Sequence, residues 1–321
     1  MPKKFLVSLA TIFLLIFSAV WFWSNKYTVY DYITLRGYTP SAQIESLAVN
    51  SGMNEKGKKL FYVNDPKLSG REEFATECQN NKEQSIVLGC YDGKNIFVFD
   101  VTDDRLAGVE EVTSAHEMLH AAYDRLSVSE KNKVDKLTAE AFQRINNPRI
   151  NGLIENYRKA DPSVVPNELH SILGTEVENL GPELEQYYLK YFTDRSAVVS
   201  KSQNYENVFS GIKNQVDKYK ADLTLRKAEI ENAETSLLNI ESSINSLKKR
   251  LDGYSAAGQT SSYNALVPEY NRLVNSYNSQ YEQYKILLAQ YNDIVEQVNV
   301  LVVEQNDLTQ SLDSRVKSVI N

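Results

Sequence analysis

Two cysteines and three histidines are all that this 321-residue chain offers of the softer metal-binding side chains, so the position of each carries weight. A cysteine-built metal centre is excluded, because the twelve-residue separation of Cys78 and Cys90 matches no usual ligand pair. A surplus of positive charge is missing as well. Thirty-five Lys and Arg stand against 42 Asp and Glu, giving a net charge of −7. With no basic stripe to displace phosphate counterions, nucleic acid is excluded as a partner. The length suits one ordinary globular domain plus a sizeable further element.

One long apolar run is present. Lys3 and Lys4 precede an uncharged stretch from Phe5 to Trp23, nineteen residues that at helical rise just cross a bilayer core. Trp21 and Trp23 stand where an interfacial aromatic belt belongs. The end of the run turns aromatic and lacks a clean small-x-small cleavage site. Residues 1–25 are therefore read as an uncleaved transmembrane anchor, with a cleaved signal peptide as the alternative. The two lysines ahead of the span place the N-terminus in the cytoplasm and the rest of the chain outside: a single-pass protein of the cell membrane with an extracytoplasmic head. In an exported domain, Cys78 and Cys90 are most simply a disulfide.

Residues 26–200 read as one mixed domain. A short helix follows Tyr38-Thr39-Pro40-Ser41, and Lys59–Val63 reads as a strand. A hairpin is expected from Ser85–Tyr91 and Asn95–Val101 around Asp92-Gly93-Lys94. A helix from about Gly108 to Leu126 buries Val109, Val112, Leu119, Tyr123 and Leu126 along one side. Ser127-Val128-Ser129-Glu130 is a capping-box pattern opening the next helix, which Asn147-Pro148 stops. A further helix spans about Ile150 to Lys159, and Gly181-Pro182 opens another.

From residue 201 the pattern changes. Ile212, Val216, Tyr219 and Leu223, then Ile230 to Leu251, recur in steps of three and four. A second such seam runs from Leu266 through Tyr270, Tyr277, Leu287 and Ile294 to Leu312. Residues 201–321 are thus expected to form an antiparallel coiled-coil hairpin, reversing at Asp252–Ser262 and kinked or started near Pro268. Tyrosines on the seam leave room for a partner helix or a homodimer.

The chemistry concentrates in His116-Glu117-Met118-Leu119-His120. One helical turn puts both imidazoles on one face, where they can reach a single metal ion, with Glu117 beside them. Two histidines hold zinc poorly, and a catalytic site needs a third protein ligand with one position open. The remaining histidine is His170, and the nearby acids are Glu168 and Glu176. No histidine follows His120 at close range, so the longer three-histidine form is absent.

This His-Glu-x-x-His pattern, with Asn167-Glu168 on a later helix, resembles the gluzincin group of zinc metallopeptidases, the thermolysin-like class. The resemblance covers about Val109 to Glu176. It implies an α+β fold, a small and mostly helical zincin-like domain with a β-hairpin or sheet, here followed by the helical hairpin. It implies Zn2+ as cofactor, His116, His120 and Glu168 as its ligands, Glu117 as general base, and a peptide or protein substrate. The family often carries an acid four residues after the ligand glutamate, a position held here by Ile172. Glu176, two turns beyond Glu168 on the same face, is the alternative ligand or the carboxylate that orients one. His170 is a candidate oxyanion donor, or else a residue on the outer side of its helix. The alternative to an enzyme is a membrane-anchored coiled-coil scaffold whose zincin-like head is inactive.

Overall fold

The computed structural model describes residues 3–79 and 87–315, with the side chains of residues 3–12 and 14 outside that description. Two compact units divide the chain. One is formed by Met1–Val208 together with the chain from Leu308, and the other spans Phe209–Asp307.

The first unit opens with α1 (Lys3–Ser24) and α2 (Lys26–Leu35), joined at Asn25. The first part of the expected anchor lies outside the described side chains. Among the described residues no helix is long and apolar enough to cross a membrane. Helix α3 (Ala42–Asn50) is capped by Ser41, whose hydroxyl accepts from the Ile44 amide. The expected strand at 59–63 is instead the second half of α4 (Glu55–Val63). Asn54 caps α4 by accepting from the Lys56 and Gly57 amides, and Leu60, Phe61 and Val63 are buried. A Cβ at Gly57 would stand 2.3 Å from the Tyr191 carbonyl oxygen, so glycine permits this close packing. Local cap and tertiary contact override the β-propensity of the sequence.

A three-stranded sheet of order β1-β3-β2 comprises β1 (Lys67–Ser69), β2 (Gly89–Tyr91) and β3 (Ile96–Phe99). Strands β2 and β3 form the expected hairpin, antiparallel with Cys90 opposite Phe97. Its turn is held by Asp92, which accepts from the Lys94 and Asn95 amides, and Gly93 takes φ +92°. Residues 85 and 86 of that expectation lie outside the described residues, and Val101 falls beyond the strand. The parallel partner β1 was not expected. Helix α5 (Arg71–Glu77) leads to Cys78, which is disulfide-bonded to Cys90.

Helix α6 (Val109–Asp124) packs against the sheet, α3 and α4, and is buried over most of its circumference. Helix α7 (Val128–Phe142) starts with the Ser127–Glu130 capping box. Asn147-Pro148 does not stop α7. It begins α8 (Pro148–Ala160), with Asn147 as cap and proline at the first position, where its missing amide costs nothing. Helices α9 (Val165–Glu176) and α10 (Pro182–Tyr188) complete the layer, α9 lying against α6 and α7.

Helix α11 (Ser196–Ala256) begins in the first unit and continues into the second, where it pairs with α12 (Thr260–Leu312). Ser236 donates to Gln280 across the pair at 2.8 Å, and Leu237, Leu247 and Leu251 are buried on its seam. The reversal is tighter than expected, with Gly258 at φ +69° between the helices. Pro268 lies inside α12, not at its start. The far end of α12 belongs to the first unit: Leu308 is fully buried, and Ser314 donates to the Val87 carbonyl.

Candidate metal centre

Helix α6 carries His116 and His120 one turn apart, and α9 crosses it to deliver Glu168. Nε2 of His116 and Nε2 of His120 face each other at 3.0 Å. Glu168 places Oε2 3.7 Å from His116 Nε2 and Oε1 3.7 Å from His120 Nε2. One ligand atom from each of the three lies within 4.8 Å of the others.

Four-coordinate zinc with bonds near 2.0–2.1 Å keeps its ligand atoms roughly 3.3 Å apart, and the three separations here bracket that value. Two further observations fit a cation. Glu168 Oε2 is buried without a hydrogen-bond partner, an arrangement that is costly for a carboxylate unless a positive charge faces it. Both Nε2 atoms point at one spot, so at most one of them can donate a proton to the other.

Electrostatics agree. Burial alone would lower the pKa of His116, yet the Glu168, Glu117 and Glu176 carboxylates raise it to about 9. Burial raises the Glu168 carboxyl, but His120, His116 and Tyr157 more than reverse this and hold it below its ordinary value. Burial and the neighbouring His116 depress His120, with Glu168 opposing. The pocket therefore favours positive charge where the two rings meet Glu168. At its other nitrogen His120 is fixed by Ser171, whose Oγ lies 3.2 Å from Nδ1.

Glu117 is buried on α6 beside His116, and its carboxylate packs against β2. A Cβ at Gly89 would stand 2.7 Å from Glu117 Oε1, so the strand approaches this side chain as closely as glycine allows. Glu176 is not one of the three clustered residues. Its carboxylate is ion-paired with Arg149, which also reaches Glu206 at 3.0 Å. It contributes charge to His116 from outside the trio.

His170 is placed differently from either expectation. It does not lie on an outer surface: it is fully buried among Tyr123, Tyr187, Tyr188 and Tyr191, with ring centroids 5.4–6.5 Å away. Its Nε2 is engaged with the Tyr187 hydroxyl at 2.9 Å, so it is not held ready for a substrate oxygen. The surface opposite Glu168 is covered by α10, which supplies Tyr187 and Tyr188, with Tyr191 just past its end. Burial depresses the His170 pKa to about 3 and keeps the ring neutral.

Two residues of the site escaped the sequence reading in their roles. Ser171 had no motif to mark it, and Tyr157, one of twenty tyrosines in the chain, interacts with Glu168. A cleft of about 370 Å3 lined by Glu178, Leu189, Arg195, Val199 and Gln203, among others, shares no residue with the cluster. No protein-family model matches the chain, and neither curated proteins nor solved structures match it.

Proposed function

We propose that this protein is a membrane-tethered, extracytoplasmic zinc metallopeptidase of the gluzincin type, with a zincin-like head. The observation that carries the reading is the convergence of His116, His120 and Glu168 on one point, with an unpartnered carboxylate oxygen there. The helical arm is proposed to hold the enzyme near its substrate or to meet a coiled-coil partner.

His116 and His120 would hold the ion through Nε2, and Glu168 through its carboxylate. A bound zinc ion supplies Lewis acidity, which activates water and polarises a carbonyl at neutral pH. Glu117 has the chemistry to take the proton of the attacking water at its carboxylate and to return it to the departing amine. Its position one residue after His116 and its burial keep it beside the reacting groups and away from bulk water. Ser171 keeps the His120 ring oriented, and Tyr157 restrains Glu168.

The tether rests on α1. Val20, Trp21, Phe22 and Trp23 are consecutive and all exposed, so at 100° per residue the helix shows apolar surface on every side. A single protein partner covers one face; a lipid phase covers all of them.

The peptidase reading is tested with Glu117→Gln. The variant is expected to retain about one zinc per chain and to lose hydrolysis of casein by 10³-fold or more, roughly the scale of a general base. Casein hydrolysis at the wild-type rate by the variant overturns the assigned role.

A further inference from the structure

The chain between the apolar helix and the head is short and helical. Helical hydrogen bonding runs across the α1–α2 junction: the Asn25 amide donates to the Trp21 carbonyl at 2.9 Å, and the Val29 amide to the Asn25 carbonyl at 3.0 Å. Lys26 lies over the rings of Trp23 and Tyr27, at 5.3 and 4.7 Å. Five residues beyond Lys26, Asp31 is buried and grips the head. Its Oδ1 accepts from Arg125 Nη1 at 2.8 Å, and Oδ2 lies 3.4 Å from Lys59 Nζ. Arg125 also stacks on Tyr27, 5.0 Å from the ring centroid.

Arg125 is the C-terminal cap of α6, the helix that carries His116 and His120. A buried ion pair contributes little net stability, but removing one partner strands the other, so such pairs fix register. The register fixed here is that of the metal-site helix against the apolar helix. On the side of α2 away from Asp31, Tyr32 and Ile33 are 70% and 66% exposed. An aromatic ring with a polar tip and an uncovered isoleucine, between two and three helical turns beyond Trp23, are the side chains of a headgroup region.

The distances are small. Trp23 to Asp31 is about 12 Å of helix and Arg125 to His120 about 7.5 Å, at 1.5 Å per residue. With the reach of the ion pair, His120 stays within roughly 30 Å of the aromatic belt. A head on a flexible stalk would sweep a much larger volume.

From this docking, and resting on the tethered-peptidase reading above, we infer the substrate class: polypeptide segments held close to the same bilayer, the juxtamembrane stretches of other membrane-anchored chains. The Asp31–Arg125 clamp sets that reach. Soluble protein is cut only as it diffuses in, whereas an anchored chain is presented at high effective concentration and over a limited span.

The test uses the full chain, zinc-loaded, in phosphatidylcholine–phosphatidylglycerol vesicles. Val128→Cys, an exposed position next to α6, carries a donor dye, and the lipid carries the acceptor. Energy transfer should place position 128 within about 30 Å of the bilayer surface. Eight Gly/Ser residues inserted between Asn25 and Lys26 leave the clamp intact and should lengthen that distance. A donor as far from the bilayer in the parent as in the insertion variant overturns the docking.

The substrate arm uses β-casein attached to lipid by one end. Cuts should fall within about ten extended residues of the anchor for the parent and shift outward for the insertion variant, with soluble casein cut equally by both. Identical cut positions for the two proteins overturn the inference. A zinc-loaded protein that cuts neither casein removes the peptidase reading itself, and with it the substrate class. The energy-transfer distance still decides the docking in that case.

Discussion

Ser171 Oγ stands 3.2 Å from Nδ1 of His120, one helical turn beyond Glu168 on the same helix. With Nδ1–H donating to that hydroxyl, the lone pair of Nε2 is left facing His116 and Glu168. The position that a carboxylate often fills in the gluzincin pattern is Ile172 here, and the neighbouring serine makes the contact instead. Ser171 is itself fully buried and its carbonyl accepts from Thr175 Oγ1 at 2.8 Å, so its placement is fixed.

Ser171→Ala should therefore weaken zinc binding about tenfold, the lower end of what outer-sphere partners of ligating histidines contribute. Helical content should be unchanged. Competition with a chromophoric chelator measures the affinity, and circular dichroism the fold. Unchanged affinity would mean that His120 is oriented by its packing alone.

His170 is a structural residue in this account. His170→Ala opens a cavity among four tyrosines and removes the bond to Tyr187, at a cost of about 2–4 kcal/mol in stability. The folded variant, assayed below its melting transition, should hydrolyse casein within about threefold of the parent. A true oxyanion donor would cost roughly 10²–10³-fold. Melting curves and rates on the same preparation separate the two.

Glu110 gives the stability a pH dependence. Burial, with Asp100 adding to it, raises its carboxyl to about 7, although its carboxylate accepts from the Val101 amide at 2.9 Å. Below the ordinary carboxyl range the group is neutral in both folded and unfolded chains, and its contribution is complete. As pH rises towards 7 the unfolded chain releases the proton first, so stability falls through that window. Glu110→Gln should flatten the fall between pH 4 and pH 8 by about 1 kcal/mol, a discounted figure because the side chain is only partly buried. Urea midpoints at the two pH values check it.

Much of this arrangement is legible in local sequence. The histidine spacing and the apolar positions of α6 belong to one helical period, so motif and helix support each other. The Ser127–Glu130 box and the Asp92-Gly93 turn are likewise local. The choice between Glu168 and Glu176 is not, because two turns on one face are equivalent to a periodic argument. In the fold it is Glu168 that stands with the two histidines, while Arg149, arriving from a different helix, engages Glu176. His170 illustrates the same limit: its angle from Glu168 is correct for a regular helix, but α10 covers that side. In α4, Leu60-Phe61-Tyr62-Val63 has the composition of a strand, and the Asn54 cap with Gly57 against Tyr191 makes it a helix.

The zinc-edge X-ray absorption spectrum of the metal-loaded protein tests the central claim most directly. The parent should hold one zinc per chain, with two imidazole nitrogens and one carboxylate oxygen at about 2.0–2.2 Å. Glu168→Gln should lose the ion while Glu176→Gln keeps an unchanged first coordination shell. A protein that takes up no stoichiometric zinc, or one in which Glu176→Gln loses the ion and Glu168→Gln does not, would contradict the account.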